Sequence, residues 1–213
     1  MLIHGEPNQW IEECLESLHG APINLVVRDG LPGEIGLARA SAFRVGDAPY
    51  VAWVDPDDRV LPGAFEAALE VLERDSEVVS TYCNYRLIDA VGGTTGQTDK
   101  PPWHPIAQLC RLLEVHHLHV VRRAAVQEIL WLLPDWQHGI EEWVMMAALL
   151  DGAPGEVRRH HRVPVVGYEF RRHSETQRAG SQITRENRRN AVRRYRDLLL
   201  GLHRRGILQS PDQ

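Results

Sequence analysis

Lysine is almost missing from this chain: of its 24 lysines and arginines, only Lys100 is a lysine. That excludes a glycine-rich phosphate loop ending in lysine near the first strand, where the sequence reads "HGEPNQ". Cysteine is scarce as well. Cys14, Cys83 and Cys110 are odd in number and form no Cys-x-x-Cys pair, so no disulfide framework is expected; buried or free thiols in a reducing cytoplasm fit better. No apolar run comes near 18 residues, which argues against a transmembrane helix. The opening "MLIHGEPNQW" has neither the basic start nor the apolar segment of a signal peptide. A cytoplasmic location is the expectation.

What is present suits a folded enzyme-sized unit. A chain of 213 residues, 43% hydrophobic, suits one compact domain or a domain with a helical appendage. Its net charge of -5 is unevenly spread. Residues 171–213 hold 11 arginines against 4 acids, about +7, leaving about -12 on the rest. The overall negative charge argues against general nucleic-acid binding. The basic end reads most simply as the wet face of a helix, with an anionic partner or a membrane surface as the alternative.

Along the chain, "PNQWIEECLESL" puts Ile11, Cys14, Leu15 and Leu18 on one helical face, with Asn8 as cap. "PINLVVRDG" reads as a short buried strand ending at Asp29 and Gly30. "EIGLARASAFRVG" is helical and "APYVAWVD" the next strand. Pro62 opens a helix with Phe65, Leu69 and Leu72 as its buried stripe, and "EVVSTYCNYRLID" is again a strand. This strand–helix rhythm predicts an α/β fold with a mostly parallel sheet flanked by helices. "GGTTGQTDKPP" (92–102) is expected to be a loop or flap. "HPIAQLCRLLE" reads as a helix, "HHLHVV" as a strand, "RRAAVQEIL" and "GIEEWVMMAALLDG" as helices, and "EVRRHHRVPVVGYEFRRH" as containing a strand. Residues 182–205 form an amphipathic helix in which Val192, Tyr195, Leu199 and Leu202 share a face. That stripe is expected to pack on the main domain or on a second copy of the chain, as a homodimer.

In such sheets ligands collect beyond the carboxyl ends of the strands, which is where Asp29, Asp55, Asp57 and Asp58 fall. "DPDD" (55–58) is good turn chemistry, and an Asp there suits a helix cap. Carboxylates gathered at a strand end also suit Mg²⁺ or Mn²⁺, hard cations that complete their shell with phosphate and water.

The order of motifs resembles the family 2 glycosyltransferases with a GT-A fold. "GLARASAFRVGDAPYVAWVDPDD" (36–58) is similar to the family's helix followed by a strand ending in Asp-x-Asp-Asp. "VVRDG", "HLHVVRRAAV", "GIEEW" and "YEFRRHSET" extend the likeness over about 170 residues in the right order. The resemblance implies a Rossmann-like nucleotide-binding half at 1–90, an acceptor and catalytic half at 91–175, and an Arg-rich extension at 176–213. It implies that Asp29 contacts the base and that Arg39 approaches the nucleotide. Asp55 and Asp57 would face the ribose and diphosphate of a nucleotide-sugar donor, with a UDP-sugar foremost. Asp57, Asp58 and His173 would be metal ligands for Mn²⁺ or Mg²⁺. Glu142 would be the catalytic base, with Glu141 in reserve; the plain alternative is acidic residues in a helix's first turn. The activity implied is metal-dependent, non-processive, inverting sugar transfer to an acceptor hydroxyl. A base takes the acceptor proton, and a divalent ion meets the departing diphosphate.

The chain departs from the family where "HGEPN" (4–8) replaces Pro-x-Tyr-Asn, where Arg28 stands in place of an Asp, and in lacking Gln-x-x-Arg-Trp. A processive polysaccharide synthase is therefore not expected. Two rival readings stand beside this one: a catalytically inactive GT-A-like nucleotide-sugar-binding scaffold, and a metal-dependent nucleotidyltransferase. The histidines at 116, 117 and 119, and at 160 and 161, offer a zinc reading, but no cysteines accompany them and a structural role is the expectation.

Overall fold

The computed structural model describes residues 1–31, 34–103, 117–131, 141–150, 156 and 158–173. The expected helices at 104–114 and 182–205, together with Cys110 and His116, lie outside the described residues. Strands β1 (Leu2–Ile3) and β2 (Arg28–Asp29) pair in parallel. A larger sheet holds β3 (Tyr50–Trp53), β4 (Arg59–Val60), β5 (Val78–Ile88), β6 (Thr94–Thr98), β7 (His119–Arg122) and β8 (Arg159–Arg171). Its order is β3-β7-β5-β8-β4, with β6 beside β5.

The α/β class stands, and the sheet is mixed where a mostly parallel one is predicted. β3 and β5 each pair antiparallel with β7, so they run the same way, as a strand–helix–strand unit requires. β7 comes from later in the chain and inserts between them, which local spacing does not reveal. β5 runs parallel to β8, whereas β4 and β6 form antiparallel pairs. β6 lies within the expected loop. Its turn is built by Asp89, whose Oδ1 accepts from Val91 N at 3.0 Å and Gly93 N at 2.7 Å, with Gly92 at φ +87°.

Helix α1 is Asn8–Ser17, α2 Ile35–Phe43, α3 Ala64–Arg74, α4 Arg123–Ile129 and α5 Glu141–Ala148. Asn8 is the first helical residue rather than the cap, because the extended Pro7 precedes the helix. Gly63, at φ +80°, lies between Pro62 and α3 and takes the capping position. The α3 stripe is Ala64, Phe65, Ala68, Val71 and Leu72, with Leu69 only half-buried. This stripe joins Val60, Val78, Cys83, Val120, Val163 and Tyr168 in the core. The segment before β2 is not buried as expected: Leu25 and Val27 are exposed.

Candidate active site

β3 is short, apolar and paired through all four residues with β7, so it delivers Val54 and Asp55 to the sheet edge with little freedom. Asp55 N donates to the Tyr168 hydroxyl at 3.2 Å, and Asp58 N donates to Asp55 O at 3.2 Å, closing the turn that Pro56 favours. β8 secures the turn from the other side. Arg171 N donates to Asp58 Oδ1 at 2.7 Å and its Nε to Asp57 O at 2.7 Å. The same guanidinium reaches Ala90 O and Glu13 and lies 5.3 Å from the centre of the Trp10 ring.

The three carboxylates therefore differ in setting. Asp55 is partly exposed. Asp57 meets His173 Nε2 through Oδ2 at 2.9 Å; burial, then the Asp55 charge, push its carboxyl above the usual range while the His173 hydrogen bond opposes them. Asp58 is fully buried, and burial with the neighbouring Asp57 and Asp55 holds its carboxyl well above the usual range. Behind them the Cys14 thiol, 3.5 Å from Asp55 O, is pushed up to about 12 by burial and the same carboxylates.

Arg39 ties this turn to α5. It projects from α2, is buried, and donates to Glu142 Oε1 at 2.8 Å and to Asp55 Oδ1 at 3.4 Å. The Trp53 indole also donates to Glu142 Oε1, at 3.2 Å, and the Arg39 guanidinium stands 5.2 Å from the Trp53 ring centre. Arg39, Asp55 and Glu142, 103 residues apart at their extremes, thus form one connected group. These three, with Asp57 and His173, border a cavity of about 910 Å³, within the ordinary range for a ligand site. Its walls are largely apolar, including Leu25, Phe43, Tyr50 and Phe170.

Asp29 sits apart. It ends β2 in an exposed position, and the cavity is bordered by its neighbours Gly30 and Leu31 instead. The side chain of Glu141 lies outside the described residues.

Sequence reading passed over three residues here, Trp53, Tyr168 and Arg171, and named His117 only within the zinc reading. His117 Nε2 lies 3.4 Å from Asp55 Oδ2, with its ring stacked on Tyr168 at 4.7 Å. His119 is fully buried against Trp53, and burial holds it well below the usual histidine range. His160 is a core histidine as expected, bonded to Ser80 Oγ at 2.7 Å and to Met146 O at 2.8 Å. The nearness of His117 to Asp55 follows from its place two residues before a strand that pairs with β3, visible once that pairing is known.

No protein-family model and no curated protein matches the chain. Its likeness is one of shape: a mixed α/β sheet with the GT-A-like glycosyltransferase fold. Residues 1–349 of TarS from S. aureus, a glycosyltransferase, match with a TM-score of 0.57 at 14% identity, covering 80% of this chain and 59% of that one. The same protein in complex with UDP-GlcNAc matches with a TM-score of 0.59 at 12% identity, over 92% and 56% of the two chains. With UDP bound the TM-score is 0.58 at 13% identity, over 95% and 70%. The chain spans little more than half the length of the first two. At these identities the likeness concerns the fold alone.

Proposed function

We propose that the chain is a divalent-metal-dependent, non-processive, inverting glycosyltransferase. It moves a sugar from a nucleotide-diphosphate donor, a UDP-sugar foremost, to an acceptor hydroxyl. The observation that carries this reading is the Arg39 bridge, which puts a helix-borne carboxylate, Glu142, beside the strand-end carboxylate Asp55 on one cavity. Solved neighbours of the same fold with UDP-GlcNAc and with UDP support a nucleotide-sugar ligand for that cavity.

Glu142 is the base. Arg39 and Trp53 fix its Oε1, and a carboxylate so held accepts the proton of a hydroxyl attacking the anomeric carbon. Asp55 and Asp57 face the ribose and diphosphate, with Arg39 beside them; Asp29, which does not border the cavity, has no role in this reading. The residues present suit a divalent ion: Asp57 and His173 meet at 2.9 Å, and the buried Asp58 follows Asp57 in the same turn. When bound, Mn²⁺ or Mg²⁺ neutralises charge on the leaving diphosphate.

The test is thermal stabilisation by UDP-, GDP-, TDP- and CMP-sugars in Mn²⁺, followed by donor turnover in wild type and Glu142→Gln. Stabilisation by one donor, with turnover reduced about 10²–10⁴-fold in the variant, is the expected result. Binding without turnover in wild type would leave the scaffold reading. Turnover unchanged in the variant would remove Glu142 from the role.

A further inference from the structure

The one lysine of the chain, Lys100, stands just past β6 in a setting built from β5 and β8. Its backbone N donates to Asn84 Oδ1 at 2.8 Å, and its carbonyl accepts from Arg162 Nη1 at 2.6 Å. The next carbonyl, Pro101 O, accepts from the Tyr82 hydroxyl at 2.8 Å. Lys100 is only 9% exposed, so its side chain is enclosed rather than free in solvent. The ammonium lies over the Tyr85 ring, 5.1 Å from the ring centre.

That ammonium has no carboxylate partner among the described residues. The acids flanking this stretch are committed elsewhere. Asp99 accepts from Asn84 Nδ2 at 2.7 Å and lies 3.9 Å from Arg162, while Glu169 is held by Arg59 at 2.8 Å and Arg86 at 2.9 Å. An enclosed charge is costly unless an opposite one meets it, and a ring face meets only one side of a group with three donors. The position also leads toward the chemistry. The Tyr85 and Phe170 rings are 6.0 Å apart, and Phe170 borders the cavity that Asp55 and Glu142 share.

We infer that Lys100 binds a phosphate or carboxylate carried by the acceptor, so that the sugar goes to an anionic hydroxyl compound rather than a neutral one. The anion takes the donors that Tyr85 leaves, and the acceptor reaches from there past Phe170 to Glu142. A lysine suits this task, because a point charge with rotatable donors takes either anion without the fixed fork of arginine. The arginines along these strands are already engaged: Arg59, Arg86 and Arg171 are each bound to a carboxylate. The acceptor role rests on the sugar transfer proposed above, whereas the anion contact does not.

The test uses the full chain, and a single lysine makes it direct. Reductive methylation with ¹³C-formaldehyde labels Lys100 while keeping its charge, and the α-amino group is told apart by its own NMR shift. Glucose 6-phosphate and glucuronate are the anionic probes, glucose the neutral one and inorganic phosphate the free anion. The Lys100 signal should move with at least one anionic sugar, at lower concentration than with inorganic phosphate, and stay still with glucose. Added salt should raise the midpoint of that titration. In transfer assays Lys100→Met should raise acceptor KM about ten-fold or more with donor KM unchanged, and Lys100→Arg should restore most of it. The wild-type signal decides the matter even if Lys100→Met does not fold. A signal unmoved by both anionic sugars, an equal response to inorganic phosphate, or an acceptor KM unchanged in Lys100→Met would each overturn the assignment. A signal that moves in a chain transferring no sugar would sink the proposed activity and leave the anion contact standing.

Discussion

Arg39 and Glu142 are both buried and joined at 2.8 Å, and that contact carries a stability argument of its own. Removing one partner of a buried ion pair strands the other, at a cost of about 3–5 kcal/mol. Arg39→Gln should therefore lower stability by roughly that amount, and adding Glu142→Gln should recover part of it, because the stranded charge is gone. Chemical denaturation of the two single variants and the double variant measures this; strictly additive losses would mean the pair is not coupled. Trp53→Phe keeps an aromatic ring while removing the indole donor to Glu142 Oε1, together with some buried volume. A hydrogen bond to a charged group contributes about 1.5–3 kcal/mol. If the reading of Glu142 is right, kcat should fall about ten-fold or more with donor KM unchanged. A rise in KM alone would place Trp53 in donor binding. Arg39, Asp55 and Glu142 were legible in the sequence because they stand in recognisable motifs. Trp53 and Arg171 were not. Their roles come from contacts 89 and 114 residues away, and no local pattern marks such partners.

Elements were most legible where periodicity was strong. α3 and β5 fall close to where apolar spacing puts them, because each buries a continuous face, and α2 and β3 also fall near their expected places. β6 was hidden by its composition, "TTGQT", which carries no apolar alternation and is held by its ladder to β5. β8 runs through Pro164, which has no amide hydrogen to give. The register accordingly steps from Val163 opposite Cys83 to Val166 opposite Asn84, leaving Pro164 and Val165 out of the ladder. Just past this irregularity α3 packs closest to β8. A Cβ on Gly167 would stand 2.8 Å from Ala64 Cβ and 2.9 Å from Cys83 Sγ, closer than real side chains approach. Leu61 N also donates to Gly167 O at 3.0 Å, tying the start of α3 to the same point. Gly167→Ala should therefore destabilise the fold by about 1–3 kcal/mol through overpacking. Adding Cys83→Ala should recover only part of that, because it removes the sulfur contact but leaves the Ala64 Cβ at 2.8 Å. Unchanged melting in Gly167→Ala would show that α3 sits farther from the sheet.

Across the whole molecule, buried ionisable groups push stability in opposite directions with pH. His160 lies in the core between Ser80 and Met146 O, and burial lowers it from 6.5 to about 4, with the Met146 contact opposing. Between those values the unfolded chain binds a proton that the folded chain refuses. Stability from this group is thus intact above about pH 6.5, falls as the solution is acidified, and levels off below about pH 4. Over that window the loss amounts to about 3 kcal/mol. Asp57 and Asp58 act with the reverse sign. Their carboxyls are raised in the folded state, so their burden on stability eases as acidification protonates them. Wild-type stability against pH mixes these effects, and comparison with His160→Gln separates one of them. The glutamine is uncharged throughout and offers polar atoms to Ser80 and Met146. Denaturant unfolding near pH 5–6 should show the variant losing stability less steeply than wild type, by about 1.4 kcal/mol per pH unit, the equivalent of one proton. Parallel curves would mean that His160 charges in the folded state as readily as in the unfolded chain, and that the Ser80–His160–Met146 contacts do not lie in a closed core.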